Sequence, residues 1–329
     1  MIDALPPIGR VLLLGASGLV GSQVLERLAG VPGVEVCALS RSRKLHLEAP
    51  NITWLRADLR DMGSCVELFE GVDFVLMMAG VVATAPVLSR DPIGPVLDNL
   101  RISQNVFEAA WRARVRSVVW LSSTTGYPER ATALREEEMF EAEPPPAWTL
   151  LGGATRWLET LALGLAARSE GRTAFVALRP SLVYGERDDF SLEGGHFVPA
   201  LIRRVVERHD PIEISGDGKD RRDLVHAADV AEAALHCLRL EGGQAFNVAS
   251  GESLSINEFV ALLLEVEGCS GARVVHLEGR PRTTAERRFS NEKIRTLLDF
   301  EPRIALDAGL RRTCRWFREH RDQARRTES

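Results

Sequence analysis

Apolar residues along this chain fall into short continuous runs, separated by longer stretches in which they recur every three or four positions. Val11–Leu14, Val34–Leu39, Ile52–Leu55, Phe74–Met77, Ser117–Leu121 and Thr173–Leu178 have strand length. Their continuous rather than alternating character predicts strands covered on both faces. Between the first two runs, Leu19, Val20, Val24, Leu25 and Leu28 repeat at helical spacing. Strands alternating with helices predict an α/β fold with a doubly wound parallel sheet. After Arg179-Pro180 the rhythm loosens, through Glu193-Gly194-Gly195-His196 and Ile212–Gly218, which predicts a smaller second lobe. Asp223–Leu240 reads as a helix returning to the first lobe.

The first run ends in Gly15-Ala16-Ser17-Gly18-Leu19-Val20-Gly21, with glycines three residues apart. A buried strand that enters a helix through such a turn is a dinucleotide-binding pattern. Gly15 permits the tight turn, Gly18 lets the backbone approach a pyrophosphate, and Gly21 allows close helix packing. Gly15, Ser17, Gly18, Leu19, Val20 and Gly21 are therefore candidate cofactor-binding residues. The fold expected is Rossmann-like. Residues 1–178 form the dinucleotide-binding domain, with 219–250 returning to it, and 179–218 with 251–329 form a substrate-binding domain.

Composition narrows the function. The 329 residues carry a formal charge of -5 with a pI near 5.9, which gives no basic footprint for nucleic acid. No apolar run approaches 18 residues, and the first strand starts too early for a signal peptide, so a cytoplasmic protein without a membrane partner is expected. Five scattered cysteines lack CxxC spacing and the seven histidines show no metal-binding pattern, so no metal is expected. The acidic stretch Glu136–Glu143 reads as a solvated loop, with a substrate lid as the alternative.

The end of the second strand sorts NAD from NADP, because a carboxylate there would accept hydrogen bonds from the ribose 2′-hydroxyl. Here the sequence is Ser40-Arg41-Ser42-Arg43-Lys44. Ser40, Arg41 and Arg43 suit a 2′-phosphate and favour NADP(H) over NAD(H). Solvation of a loop by these arginines is the competing reading.

Further segments share one pattern. Ala57-Asp58-Leu59-Arg60-Asp61 is similar to a DLRD turn, Met78-Ala79-Gly80 to an HxAA loop, and Asn99–Asn105 to an NVxGTxN helix. Leu121–Tyr127 is similar to SSSAVYG, Arg179–Gly185 to RPxxVYG, and Gly216–His226 to GDGxxxRDxVHV. In this order and over nearly the whole chain, they resemble the extended short-chain dehydrogenases/reductases that modify nucleotide sugars, the epimerase/dehydratase family. Within it the chain looks most like ketoreductases of deoxysugar pathways. The resemblance implies cofactor contacts at Asp58, Leu59, Ala79, Gly80, Asn99, Pro180 and Val183. It implies ligand contacts at Tyr184, His196, Arg222, Arg280 and Arg282, a hydroxyl beside the reacting sugar oxygen at Ser123 or Thr124, a nucleotide-sugar ligand, and a helix-packed homodimer.

One departure matters. The family string YGxSKxxxE appears as Leu151–Glu159, so Leu151 and Thr155 stand at the catalytic tyrosine and lysine positions. No YxxxK exists elsewhere, because Tyr127 and Tyr184 are the chain's two tyrosines and Ala131 and Asp188 follow them four residues on. Tyr127, Tyr184, Glu186, Asp188, Asp189 and His196 are candidates for a substitute acid. Three readings stay open: an NADP(H)-dependent ketoreductase with a relocated proton donor, a redox-inactive cofactor-binding protein, and a non-redox enzyme using the same cleft. Reduction tolerates loss of the tyrosine better than oxidation, which needs a base as hydride departs.

Overall fold

The computed structural model describes residues 9–41, 45, 47–81, 84–130, 132–192, 196–277 and 286–321. The six apolar runs are strands β1 (Gly9–Leu14), β2 (Val34–Leu39), β3 (Ile52–Leu55), β4 (Phe74–Met77), β5 (Ser117–Leu121) and β6 (Ala174–Pro180). Helices α1 (Leu19–Leu28), α2 (Met62–Leu68), α3 (Ala85–Arg90), α4 (Gly94–Ala113) and α5 (Thr149–Arg168) intervene. There follow β7 (Leu182–Tyr184), α6 (Phe197–Val206), β8 (Ile212–Ser215), β9 (Arg221–His226), α7 (Ala227–Cys237) and β10 (Gly243–Val248). The chain continues through β11 (Ser253–Ser255), α8 (Ile256–Val266), β12 (Val274–Leu277), β13 (Glu286–Arg287), α9 (Glu292–Leu298) and α10 (Leu306–Glu319).

Seven parallel strands lie in the order β10-β6-β5-β4-β1-β2-β3. β1 is central, and its leucines are fully buried because helices cover both faces. Val11 and Leu13 pack under α1 and α7, whereas Leu12 and Leu14 pack under α2, α4 and α5. Chain direction across the sheet reverses between β1 and β4, so the carboxyl ends of these strands open a crevice at the topological switch point.

The smaller lobe is built on β9, which pairs with β7 and β13 in parallel and with β11 antiparallel. Helices α6, α8 and α10 enclose its core with Phe190, Leu224 and Phe317. The segment expected to be helical from Asp223 begins instead as strand. Leu224 and Val225 pair with β7, and α7 starts only after His226, whose Nδ1 accepts the Ala228 N–H at 3.1 Å.

The acidic stretch is not simply a solvated loop. Glu136 and Met139 are buried, because the Glu136 carboxylate accepts the Asn247 N–H at 2.8 Å. Burial raises the Glu136 pKa.

Of three consecutive residues after β7, two bind different helices and the third faces the residue that precedes another. Glu186 meets Arg312 of α10 at 2.8 Å and faces His226 Nε2 at 3.3 Å. Although burial opposes it, His226 and Arg312 hold the Glu186 pKa down at about 2. Arg187 adopts φ 69 and reaches Glu26 of α1 at 2.6 Å, and Asp188 lies 3.6 Å from His196 at the start of α6.

Behind the crevice, Glu159 of α5 accepts Arg179 Nε of β6 at 2.9 and 3.1 Å, and also a Ser122 hydroxyl. Arg179 Nη1 donates to the Tyr127 hydroxyl and the Glu136 carbonyl, each at 2.7 Å. Both partners of the ion pair are almost fully buried. Removing one partner of such a pair leaves an uncompensated buried charge, at about 3–5 kcal/mol. Glu159→Gln is expected to lose about that much stability in urea unfolding, and Glu159→Met with Arg179→Met substantially less. A double variant as unstable as the two single losses added together would show that the pair is not acting as a unit.

Candidate cofactor and ligand cleft

β1 turns into α1 through residues whose lack of a side chain is required. Gly15 has φ +81, and a Cβ there would lie 2.8 Å from the Ala79 backbone. A Cβ on Gly21 would stand 2.1 Å from the Gly15 carbonyl oxygen, so α1 lies directly against the turn. No side chain caps the N-terminus of α1, where Gly18 is the cap residue. Free N–H groups, the helix dipole and a bare backbone fit a pyrophosphate at this point.

At the lip of the turn, Ser17 Oγ and Ser40 Oγ are 2.7 Å apart, which joins the ends of β1 and β2. Arg41 is exposed beside them, whereas Arg43 lies outside the described residues. Asp58 is engaged by Arg60 at 2.6 Å, and that guanidinium holds its pKa down at about 2. Leu59 is buried. Asn99 fixes the loop after Ala79 and Gly80, accepting the Val81 N–H at 2.7 Å and donating to the Val81 carbonyl at 2.9 Å. Pro180 ends β6, and Val183 is half-buried in β7.

Leu151 and Thr155, which the resemblance aligns with the family tyrosine and lysine, both lie on α5. α5 packs so closely on the turn after β5 that a Cβ on Gly152 would lie 2.6 Å from the Thr125 carbonyl oxygen. Ser123 Oγ accepts the Thr125 N–H at 3.1 Å and lies 2.9 Å from Thr125 Oγ1. Thr125 Oγ1 is 3.4 Å from Thr155 Oγ1, which donates to the Leu151 carbonyl at 2.9 Å. This hydroxyl chain ends on a peptide carbonyl, which has no proton to give, so the chain itself does not supply an acid. Arg156 is turned away, donating to the Gly126 carbonyl at 2.8 Å and to that of Ala142.

Most candidate substitute acids are committed elsewhere. Tyr127 is fully buried, donates to Asn247 Oδ1 at 2.6 Å, and is pushed up in pKa by burial. Tyr184, expected at the ligand, is instead packed in the small lobe at 1 % exposure, its ring edge-on to His226 with centroids 5.2 Å apart. Gly309 lets α10 press against the Tyr184 hydroxyl, which is why the phenol faces inward. Glu186 is held by His226 and Arg312, and Asp189 accepts the Ser191 N–H at 3.0 Å.

His196 differs. Its side chain is 37 % exposed, and its Nδ1 faces Asp188 Oδ1 at 3.6 Å. Burial works against its charge, but the Asp188 carboxylate outweighs it and raises the His196 pKa above the ordinary value.

Arg222 is half-buried with Asp220 at 3.3 Å, and burial lowers its pKa. Arg280 and Arg282 lie outside the described residues. Arg287, which the sequence did not single out, is the Cα partner of Arg222 in the β13–β9 pair and donates to the Thr124 carbonyl.

Residues 11–249 match the family described as NAD dependent epimerase/dehydratase. A dTDP-4-dehydro-6-deoxy-D-allose reductase of Streptomyces is 30% identical over 322 residues, covering 94% of this chain and 97% of its own. A putative GDP-L-fucose synthase 2 of Oryza sativa is 29% identical, with 94% and 87% covered. The structure of MoeE5 in complex with UDP-glucose and NAD aligns with a TM-score of 0.77 at 28% identity, over 94% of this chain and 99% of that one. With the glycine turn in place and the match spanning most of the chain, this protein belongs to the NAD-dependent epimerase/dehydratase family of nucleotide-sugar-modifying proteins.

Proposed function

We propose that the chain is an NADP(H)-dependent reductase of a keto group on a nucleoside-diphosphate deoxysugar, with a proton donor other than tyrosine. The observation that supports it best is the bare glycine turn at Gly15–Gly21, whose backbone fits a pyrophosphate, with Arg222 as the candidate contact to a second diphosphate. The deoxyhexose reductase among the relatives points to the same chemistry.

When bound, NADPH supplies the hydride. The turn and the α1 N-terminus hold its pyrophosphate, while Ser17, Ser40 and Arg41 receive the 2′-phosphate. Arg222 holds the diphosphate of the sugar nucleotide, and Ser123 hydrogen-bonds to the sugar oxygen. His196, whose pKa is raised by Asp188 against the effect of burial, is the group that gives its Nε2 proton to the oxygen that becomes the hydroxyl. A second reading, a binder of the same ligands without turnover, is favoured by the hydroxyl chain that stops at the Leu151 carbonyl.

Cofactor choice is tested by calorimetry. NADP(H) is expected to bind more tightly than NAD(H), and Arg41→Ala to narrow the gap by about tenfold, the scale of one charge-assisted hydrogen bond. Preference for NAD(H) in the wild type would overturn the assignment.

The proton donor has a pH signature. Because the acid form of His196 does the work, kcat should be full below its raised pKa and fall as pH rises through it. His196→Asn should remove that limb and lower kcat by about 10²-fold or more. An unchanged profile in the variant would place the proton elsewhere.

Restoring the pair separates the two readings. In a reductase with a relocated donor, Leu151→Tyr with Thr155→Lys changes turnover only modestly. Strong activity arising solely in that double variant would identify the wild type as a binder.

A further inference from the structure

Among the described residues, Arg287 is a cation with no carboxylate in ion-pair contact. It shares a register position with Arg222 on neighbouring parallel strands, so both side chains leave the sheet on the same face. Burial and repulsion from Arg222 push its pKa down to about 10, and Glu129 and Tyr127 act in the opposite sense. Arg222 has the Asp220 carboxylate, but among the described residues no carboxylate is within ion-pair distance of Arg287.

Its own contacts are neutral: the Thr124 carbonyl and the face of the Phe289 ring, 5.7 Å from the guanidinium carbon. A peptide carbonyl and a ring face do not offset a full charge drawn partly out of water, and a guanidinium has five N–H donors to satisfy. Thr124 also locates the group, because it follows Ser123 in the turn packed under Leu151 and Thr155.

We propose that Arg287 binds an oxyanion of the ligand and shares it with Arg222, so that the cleft receives concentrated negative charge beside the Ser123–Thr125 turn. The identity of that ligand rests on the nucleotide-sugar reading; the anion site does not. Two sources offer the same chemistry, a phosphate oxygen of the diphosphate and a carboxylate carried by the sugar.

The test is calorimetry with NADP at saturation, so that the glycine turn is filled, and inorganic pyrophosphate as the first probe. Wild type should bind it. Arg287→Gln should weaken binding by about tenfold or more, and Arg287→Lys by less, since an ammonium keeps the charge but not the planar fork. NADP affinity reports whether each variant is folded, and Arg287→Lys carries the test if Arg287→Gln is not. No pyrophosphate binding by wild type, or equal binding by the folded variants, overturns the proposal.

The same proteins titrated with UDP-glucose and UDP-glucuronate, or their dTDP or GDP counterparts where wild type prefers that base, locate the anion. A loss shared by both sugars assigns it to the diphosphate, and a loss confined to the glucuronate assigns it to a sugar carboxylate. Pyrophosphate binding that depends on Arg287, with no sugar nucleotide bound, would retain the anion site and refute the nucleotide-sugar reading.

Discussion

The pairing of Glu159 with Arg179 fixes where the rest of the cleft can be. A carboxylate and a guanidinium buried this deeply persist only if nearly every donor and acceptor is met, and the surrounding contacts do this. Ser122 donates to Glu159, Arg179 reaches Tyr127 and the Glu136 carbonyl, and Asn247 ties Tyr127 back to Glu136. The ends of β5, β6 and β10, the middle of α5 and the acidic stretch are thereby drawn to one point. Ser123 is the next residue after that knot, so its position follows from charge pairing on the far side of the strand ends.

Leu151 and Thr155, which the sequence resemblance sets at the tyrosine and lysine positions, are accommodated in this arrangement. Thr155 satisfies its hydroxyl on the preceding turn of its own helix, as threonine in a helix readily does, and Leu151 brings no polar atom that needs a partner. Neither contributes an orphaned buried group. α5 packs closely against Thr125 with Leu151 and Thr155 on its first two turns.

Six of the seven strands of the sheet were legible in the sequence as short, largely apolar runs, whereas β10 carries Gln244 and Asn247 and was not. The β9 strand was not, since Leu224-Val225 is too short an apolar pair to tell strand from helix without its partner β7. Burial of Glu136 depends on Asn247, 111 residues away, and no local pattern encodes that contact. Tyr184 is core because of a contact distant in sequence: Gly309 lies against its hydroxyl. Arg287 sits in a run of charges that reads as solvated surface, and only the strand pairing puts it opposite Arg222.

Glu186, Arg187 and Asp188 have a consequence for how this protein can vary. Glu186 is fastened to α10 and Arg187 to α1, Asp188 faces His196 at the mouth of α6, and the middle residue accepts a left-handed backbone to get there. Inserting or deleting one residue would shift all three attachments together, so the stretch is closed to the length changes that surface connections usually absorb. A chimera that exchanges the small lobe with that of a relative has to carry this triplet with all three of its helices, and a crossover placed anywhere inside it would separate contacts that exist only as a set.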